Sequence, residues 1–395
     1  MNVNFGQGDS ISQLFLKYWP SGFLPFVSVL IILVLSESCI KMFVPVTSED
    51  PDILVVEGLV TDQSGPNTIK LSTSMPLGGR NSATPLTGCI VTLSDDLGSF
   101  YSLSETPGGI YVTNPSFHGV VGRTYTLHIK TSSSRNYLSY QSFPVLMKPV
   151  PPIDTIYYEK VVLTRADDGW PSGEGCQIFL NTIDKENICK LYRWEYTETW
   201  EFGIPYNVPN NKCWVTNNSD KINIKSTSGL SEGTIIRQPV NYVTNASDRL
   251  KVRYSILVNQ YSLTEDEFIY WDKLQNVIEN VGSLYDIIPS SIPSNISCVD
   301  KPDENVLGYF SVSAVKSKRI FVNDQFRGMP DLYTNCEHAR VNYFVPIPDL
   351  GVSAWVIIDV PSPPPPYKIL TYIKGCADCT VRGTTTKPDY WEDYK

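Results

Sequence analysis

Histidine is nearly absent from this chain: His118, His128 and His338 are the only three among 395 residues, and they sit in unrelated contexts. That scarcity argues against a catalytic metal centre built on imidazole, which draws on two or three ligating histidines. Basic charge is also in deficit, with 32 Lys and Arg against 41 Asp and Glu and a net charge of -9. Without a basic stripe to neutralise phosphates, nucleic acid is excluded as a partner. Long apolar runs are missing as well, and Phe23 to Leu35 falls short of the roughly 20 residues that cross a bilayer. No Gly-x-Ser-x-Gly elbow, phosphate-cradling glycine loop or His-Glu-x-x-His pair is read in the sequence. The acid pairs Asp95-Asp96 and Asp167-Asp168 lie in glycine-bearing turns, where solvated turn acids are the economical reading rather than glycosidase carboxylates. No cofactor is called for.

What is present begins with Cys39. It follows the apolar run and Ser36-Glu37-Ser38, with Lys17 as the one basic residue before it. This reads as a bacterial lipoprotein signal over residues 1–38, cleaved before a cysteine that is then acylated, although Glu37 departs from the usual small-residue box. A conventional signal peptide with an ordinary structural Cys39, or an anchoring or core helix, are the alternatives. Lipidation places the protein outside the cytoplasm, tethered by acyl chains.

Removing Cys39 from the nine cysteines leaves an even set of Cys89, Cys176, Cys189, Cys213, Cys298, Cys336, Cys376 and Cys379. An oxidising compartment allows up to about four disulfides among them, and about 105 full pairings. Cys89 reads as a buried thiol on an alternating strand; the other seven are disulfide candidates. Cys376-Ala377-Asp378-Cys379 lacks both the helix start of a redox pair and the second Cys-x-x-Cys of a zinc site. Two disulfides pinning the tail are expected there, each cysteine to a different partner, with Cys213, Cys298 and Cys336 nearest at hand. Redox and zinc chemistry remain as lesser alternatives.

The body reads as β-structure, with 23 Tyr, eight Trp and 29 Pro and apolar residues spaced by two. A tether (39–52) precedes a first β-sandwich domain (53–148), in which Ile53 to Val60, Thr68 to Ser72, Cys89 to Ser94, Gly109 to Tyr111 and Gly122 to Ile129 supply strands. Four prolines between Phe143 and Pro152 read as a semi-rigid spacer. A second sandwich (149–374) has core strands at Cys176–Leu180 and Tyr192–Tyr196, and a hairpin of Val306–Ser313 with Arg319–Val322. Its insertion, about 203–300, carries a helix at 264–281. Thr264-Glu265-Asp266-Glu267 is a capping box, Phe268, Trp271, Leu274, Ile278 and Val281 form the inward stripe, and Gly282 is the stop. Residues 375–395 form the Cys-x-x-Cys tail. Asn217, Asn245 and Asn295 begin glycosylation-type sequons that a bacterial lipoprotein leaves bare, and Pro363 to Pro366 reads as a stiff loop.

Taken in order, Cys39, Leu54-Val55-Val56-Glu57-Gly58, Gly109-Ile110-Tyr111, Gly122 with Tyr125, Pro149 to Asp154, Tyr192-Arg193-Trp194, Cys213-Trp214, Asn305 to Ser313, Cys376 to Thr380, Arg382-Gly383 and Lys387 to Trp391 resemble the Bacteroidota lipoprotein family called domain of unknown function 4249. The resemblance implies residence in the outer membrane facing the exterior, genes beside TonB-dependent receptors, a first domain similar to transthyretin-like or carboxypeptidase-regulatory sandwiches, and no catalytic residues to carry across. The expected function is that of a non-catalytic accessory or cargo-binding partner of a TonB-dependent outer-membrane barrel. A structural or adhesive surface protein is the alternative, and a surface-polymer hydrolase a third.

Overall fold

In the computed structural model the described residues are 53–74, 83–132, 135–166, 169, 171–204, 206, 208–230, 232–280, 292–330, 336, 339–342, 344, 355–360, 367–371 and 373–392. Cys39 with its leader, Asp167-Asp168, His338, Gly282 and the proline run lie outside them. Within them the protein is mainly β, with several sheets, one α-helix and no closed barrel.

Alternation builds the first sandwich. Leu54–Thr61 turns Leu54, Val56 and Val60 inward, fully buried, and pairs antiparallel with Thr68–Thr73. Facing them, Ile90–Asp95 and Thr124–Lys130 bury Val91, Leu93, Tyr125, Leu127 and Ile129. The buried Tyr111 hydroxyl donates to the Leu86 carbonyl at 3.0 Å and accepts from the Cys89 amide at 3.0 Å.

The sandwich is completed by residues far along the chain. Val306–Ser313 runs parallel to Leu54–Thr61, and Ile296–Cys298 adds to Ser139–Ser142. This corrects the hairpin expected from 306–313 and 319–322. Only Ala314 separates Val306–Ser313 from Val315–Val322, too little chain for a hairpin loop, so the backbone changes sheets there and Val315–Val322 pairs with Arg253–Ser262. Gly308 makes the parallel approach possible: its φ is +87°, and a Cβ would collide with the Val56 carbonyl oxygen.

The remaining strands form a three-stranded sheet (Ile153–Thr164, Pro171–Asp184, Gly233–Val243) and a five-stranded one in the order Lys212–Asn218, Leu191–Gly203, Arg253–Ser262, Val315–Val322, with Asn223–Ser226 also on Leu191–Gly203. A small third sheet joins Ala339–Asn342, Tyr367–Thr371 and Trp355–Val360. One contiguous buried core runs from Leu54 through Trp194 and Tyr254 to Cys379.

The proline segment, read as a semi-rigid spacer, packs into this body. Met147 and Val150 are buried. Prolines remove donors but leave carbonyls, and carbonyls of this segment accept from one neighbouring strand: Ser262 Oγ donates to the Lys148 carbonyl at 2.6 Å and Gln260 Nε2 to the Pro151 carbonyl at 2.8 Å.

Candidate functional site

The helix Glu265–Asn280 begins as its capping box requires, with the Glu267 amide donating to Thr264 Oγ1 at 3.3 Å. The Glu267 side chain does not stay at the cap. It turns inward, fully buried, and accepts from Trp271 Nε1 at 3.2 Å. The buried stripe is therefore shifted from the expected one: Glu267 and Tyr270 face in, whereas Ile278 is 58% exposed. Tyr270 packs against Tyr309 of the first sandwich, ring centres 4.8 Å apart and tilted by 35°, so the helix straddles two sheets and buries two faces unequally.

Beneath the helix lies Arg193, on the face of Leu191–Gly203 opposite Tyr192 and Trp194. It is 5% exposed. Its guanidinium carbon sits 4.7 Å from the Tyr261 ring centre and 4.4 Å from that of Trp271, a sandwich that fixes the cation between two π-faces. Nη1 donates to Glu195 at 2.6 Å, and Nε has no partner among the described residues. Burial holds the Glu267 carboxyl above its ordinary value, while the positive charge of Arg193 pulls the other way. A cleft of about 170 Å³ opens beside this group, bounded by Arg193, Trp194, Glu195, Trp271 and the 219–223 turn. Gln275 Nε2 ties the helix to that turn, donating to the Ile222 carbonyl at 3.2 Å.

A second, larger cleft of about 470 Å³ lies between the prolines Pro149, Pro151 and Pro152 and the turn from Ile183 to Cys189. Its walls are mainly apolar, with Ile188 56% exposed, and Lys185 and Glu186 supply charge. The turn is held by Asp184, which accepts from the Cys189 amide at 2.7 Å.

Buried Glu198 accepts from Tyr254 at 2.7 Å, from Arg249 at 2.9 Å and 3.1 Å, and from Asn241 at 3.2 Å. His128 Nε2 lies 2.8 Å from Ser94 Oγ, a pair that strand alternation concealed; burial lowers the His128 pKa, and no carboxylate orients the ring among the described residues. Gly229 to Gly233 has the Gly-x-Ser-x-Gly spacing, but it connects Asn223–Ser226 to Gly233–Val243, strand to strand, whereas an elbow needs a helix next.

The cysteines divide sharply. Cys379 bonds Cys213 and Cys376 bonds Cys336, two different partners as the Cys-x-x-Cys reading expected. Cys176, Cys189 and Cys298, read as disulfide candidates, are instead buried free thiols, as is Cys89. The reason is register: Cys176 stands opposite Lys160 and Val243, and Cys298 opposite Tyr140, so no thiol faces either. Burial pushes the Cys176 thiol up to about 12 and the Cys189 thiol up to about 11, which leaves them unreactive at neutral pH. The tail is anchored by Trp391, buried between Trp214 and Phe321, and by Arg382, which stacks on Phe202 and pairs with Asp248.

A family model described as Domain of unknown function (DUF4249) matches residues 40–319, so the chain belongs to that family. The match takes in the first sandwich and the helix and ends within Val315–Val322, short of the disulfide-pinned tail. No curated protein matches the chain.

Proposed function

We propose that this is a non-catalytic lipoprotein, held at the outer membrane by acyl chains on Cys39, that serves as an accessory or cargo-binding partner of a TonB-dependent transporter. The observation that carries the binding role is the 470 Å³ cleft, within the roughly 300–1,000 Å³ range of ligand sites and built from apolar walls with a few charged groups. Rigid proline backbone on one side and a hydrogen-bonded turn on the other preform it, so binding costs little ordering. Membrane tethering rests on the lipoprotein signal, and outer-membrane residence and the transporter partnership on the family resemblance.

The test is affinity purification of the full-length protein from solubilised outer membranes. A large β-barrel should accompany it in stoichiometric amount. Recovery alone, together with lost surface attachment but intact uptake in a deletion strain, would favour the adhesive reading and overturn this one.

A further inference from the structure

The cleft beside Arg193 has features that a packing role does not explain. A guanidinium carries five donors and cannot be discharged, and burying one is costly unless those donors are met. Here Glu195 takes a bond from Nη1, while buried Nε has no partner among the described residues. The ring pair of Tyr261 and Trp271 locks the group in place at the wall of the cleft. Burial favours the neutral form of the nearby Glu267, which weakens the competing negative charge on the helix side.

The rest of the lining is electrically balanced. Arg193 and Lys221 supply two positive charges; Glu195 and Asp220 supply two negative ones. Asp220 and Lys221 are exposed at the mouth, and Trp271 offers an apolar wall. A volume of 170 Å³ is about six waters' worth at roughly 30 Å³ each. That admits a small molecule and excludes a polymer or a drug-sized ligand.

We propose that this cleft binds an α-amino-acid zwitterion, its carboxylate taken by Arg193 with Lys221, its ammonium by Glu195 with Asp220, and its side chain laid against Trp271. Guanidinium and carboxylate match in geometry, which makes Arg193 the anchor. The site is separate from the proline-walled cleft and does not depend on a transporter partner.

Isothermal titration of the full-length, detergent-solubilised protein with a panel of free L-amino acids tests it, run beside the corresponding amino-acid amides and N-acetyl amino acids. At least one free amino acid should bind, and its amide, which lacks the carboxylate, should bind roughly tenfold to a hundredfold more weakly. The N-acetyl form should also lose affinity. Arg193→Gln should abolish binding; because that change touches a buried group, the exposed variants Lys221→Ala and Asp220→Asn provide the check, each weakening binding by roughly twofold to fivefold with an unchanged melting temperature. No binding by any amino acid, equal affinity for amide and free acid, or unaltered affinity in both exposed variants would overturn the proposal. Co-purification of a barrel without amino-acid binding would remove this inference and leave the transporter reading standing.

Discussion

The disulfide between Cys213 and Cys379 closes a span of 166 residues, and its removal as Cys213→Ala/Cys379→Ala has a calculable consequence. A cross-link stabilises chiefly by restricting the unfolded chain, and for a loop of 166 residues the chain-entropy relation gives about 5 kcal/mol. Measured losses run lower than the relation, so a decrease of about 3 kcal/mol is expected. Cys336–Cys376, spanning 40 residues, remains in the variant and keeps part of the tail restrained. Noncovalent anchors also persist: Trp391 stays buried against Trp214 and Phe321, and Arg382 stays paired with Asp248. The assay is urea unfolding under non-reducing conditions, followed by tryptophan fluorescence, with native and variant proteins compared at equal concentration. A shift equivalent to less than about 1 kcal/mol would refute the reasoning, since it would mean that the tail does not constrain the unfolded ensemble.

Three further outcomes follow from named groups. Glu198→Ala strands Arg249 and Tyr254 and should cost on the order of 3 kcal/mol, the low end for a broken buried pair because the Arg249 side chain is 27% exposed; thermal unfolding reads it. Glu267 is a carboxyl whose folded pKa lies above its unfolded one, so the folded state holds its proton more tightly and the contribution of this group to stability falls as pH rises above about 4.3. Glu267→Gln removes that dependence, so the melting temperature of the variant relative to the native protein should climb from pH 4 to pH 8; a constant difference would contradict the assignment. Thiol titration of the unfolded, unreduced protein should find the four thiols of Cys89, Cys176, Cys189 and Cys298, and a count near zero would contradict their free state.

The sandwich strands were legible because alternation has a period of two and local turns bracket it, as at Leu54–Thr61 and Thr68–Thr73. The helix was legible from its cap, Thr264 with Glu267. What escaped is long-range or two-sided. The parallel pairing of Leu54 with Val306 joins residues far apart in sequence, and nothing local encodes it. Helical spacing nominated Ile278 for the core and passed over Tyr270, because the helix packs on two sheets at once. The Cys213 and Cys336 pairings could be narrowed from the tail's Cys-x-x-Cys, but whether Cys176 or Cys298 finds a partner depends on strand register. Arg193 stood in view inside Tyr192-Arg193-Trp194, yet a lone arginine on a strand carries no signal of a cleft until Tyr261 and Trp271 are placed around it.

The claim on which the functional account turns is the lipid tether, and mass spectrometry of the N-terminal peptide from the membrane-purified native protein tests it most directly. The account predicts a chain beginning at Cys39 with diacylglycerol in thioether linkage to its sulfur. An unmodified Cys39 sulfur, or a leader still attached, would contradict it.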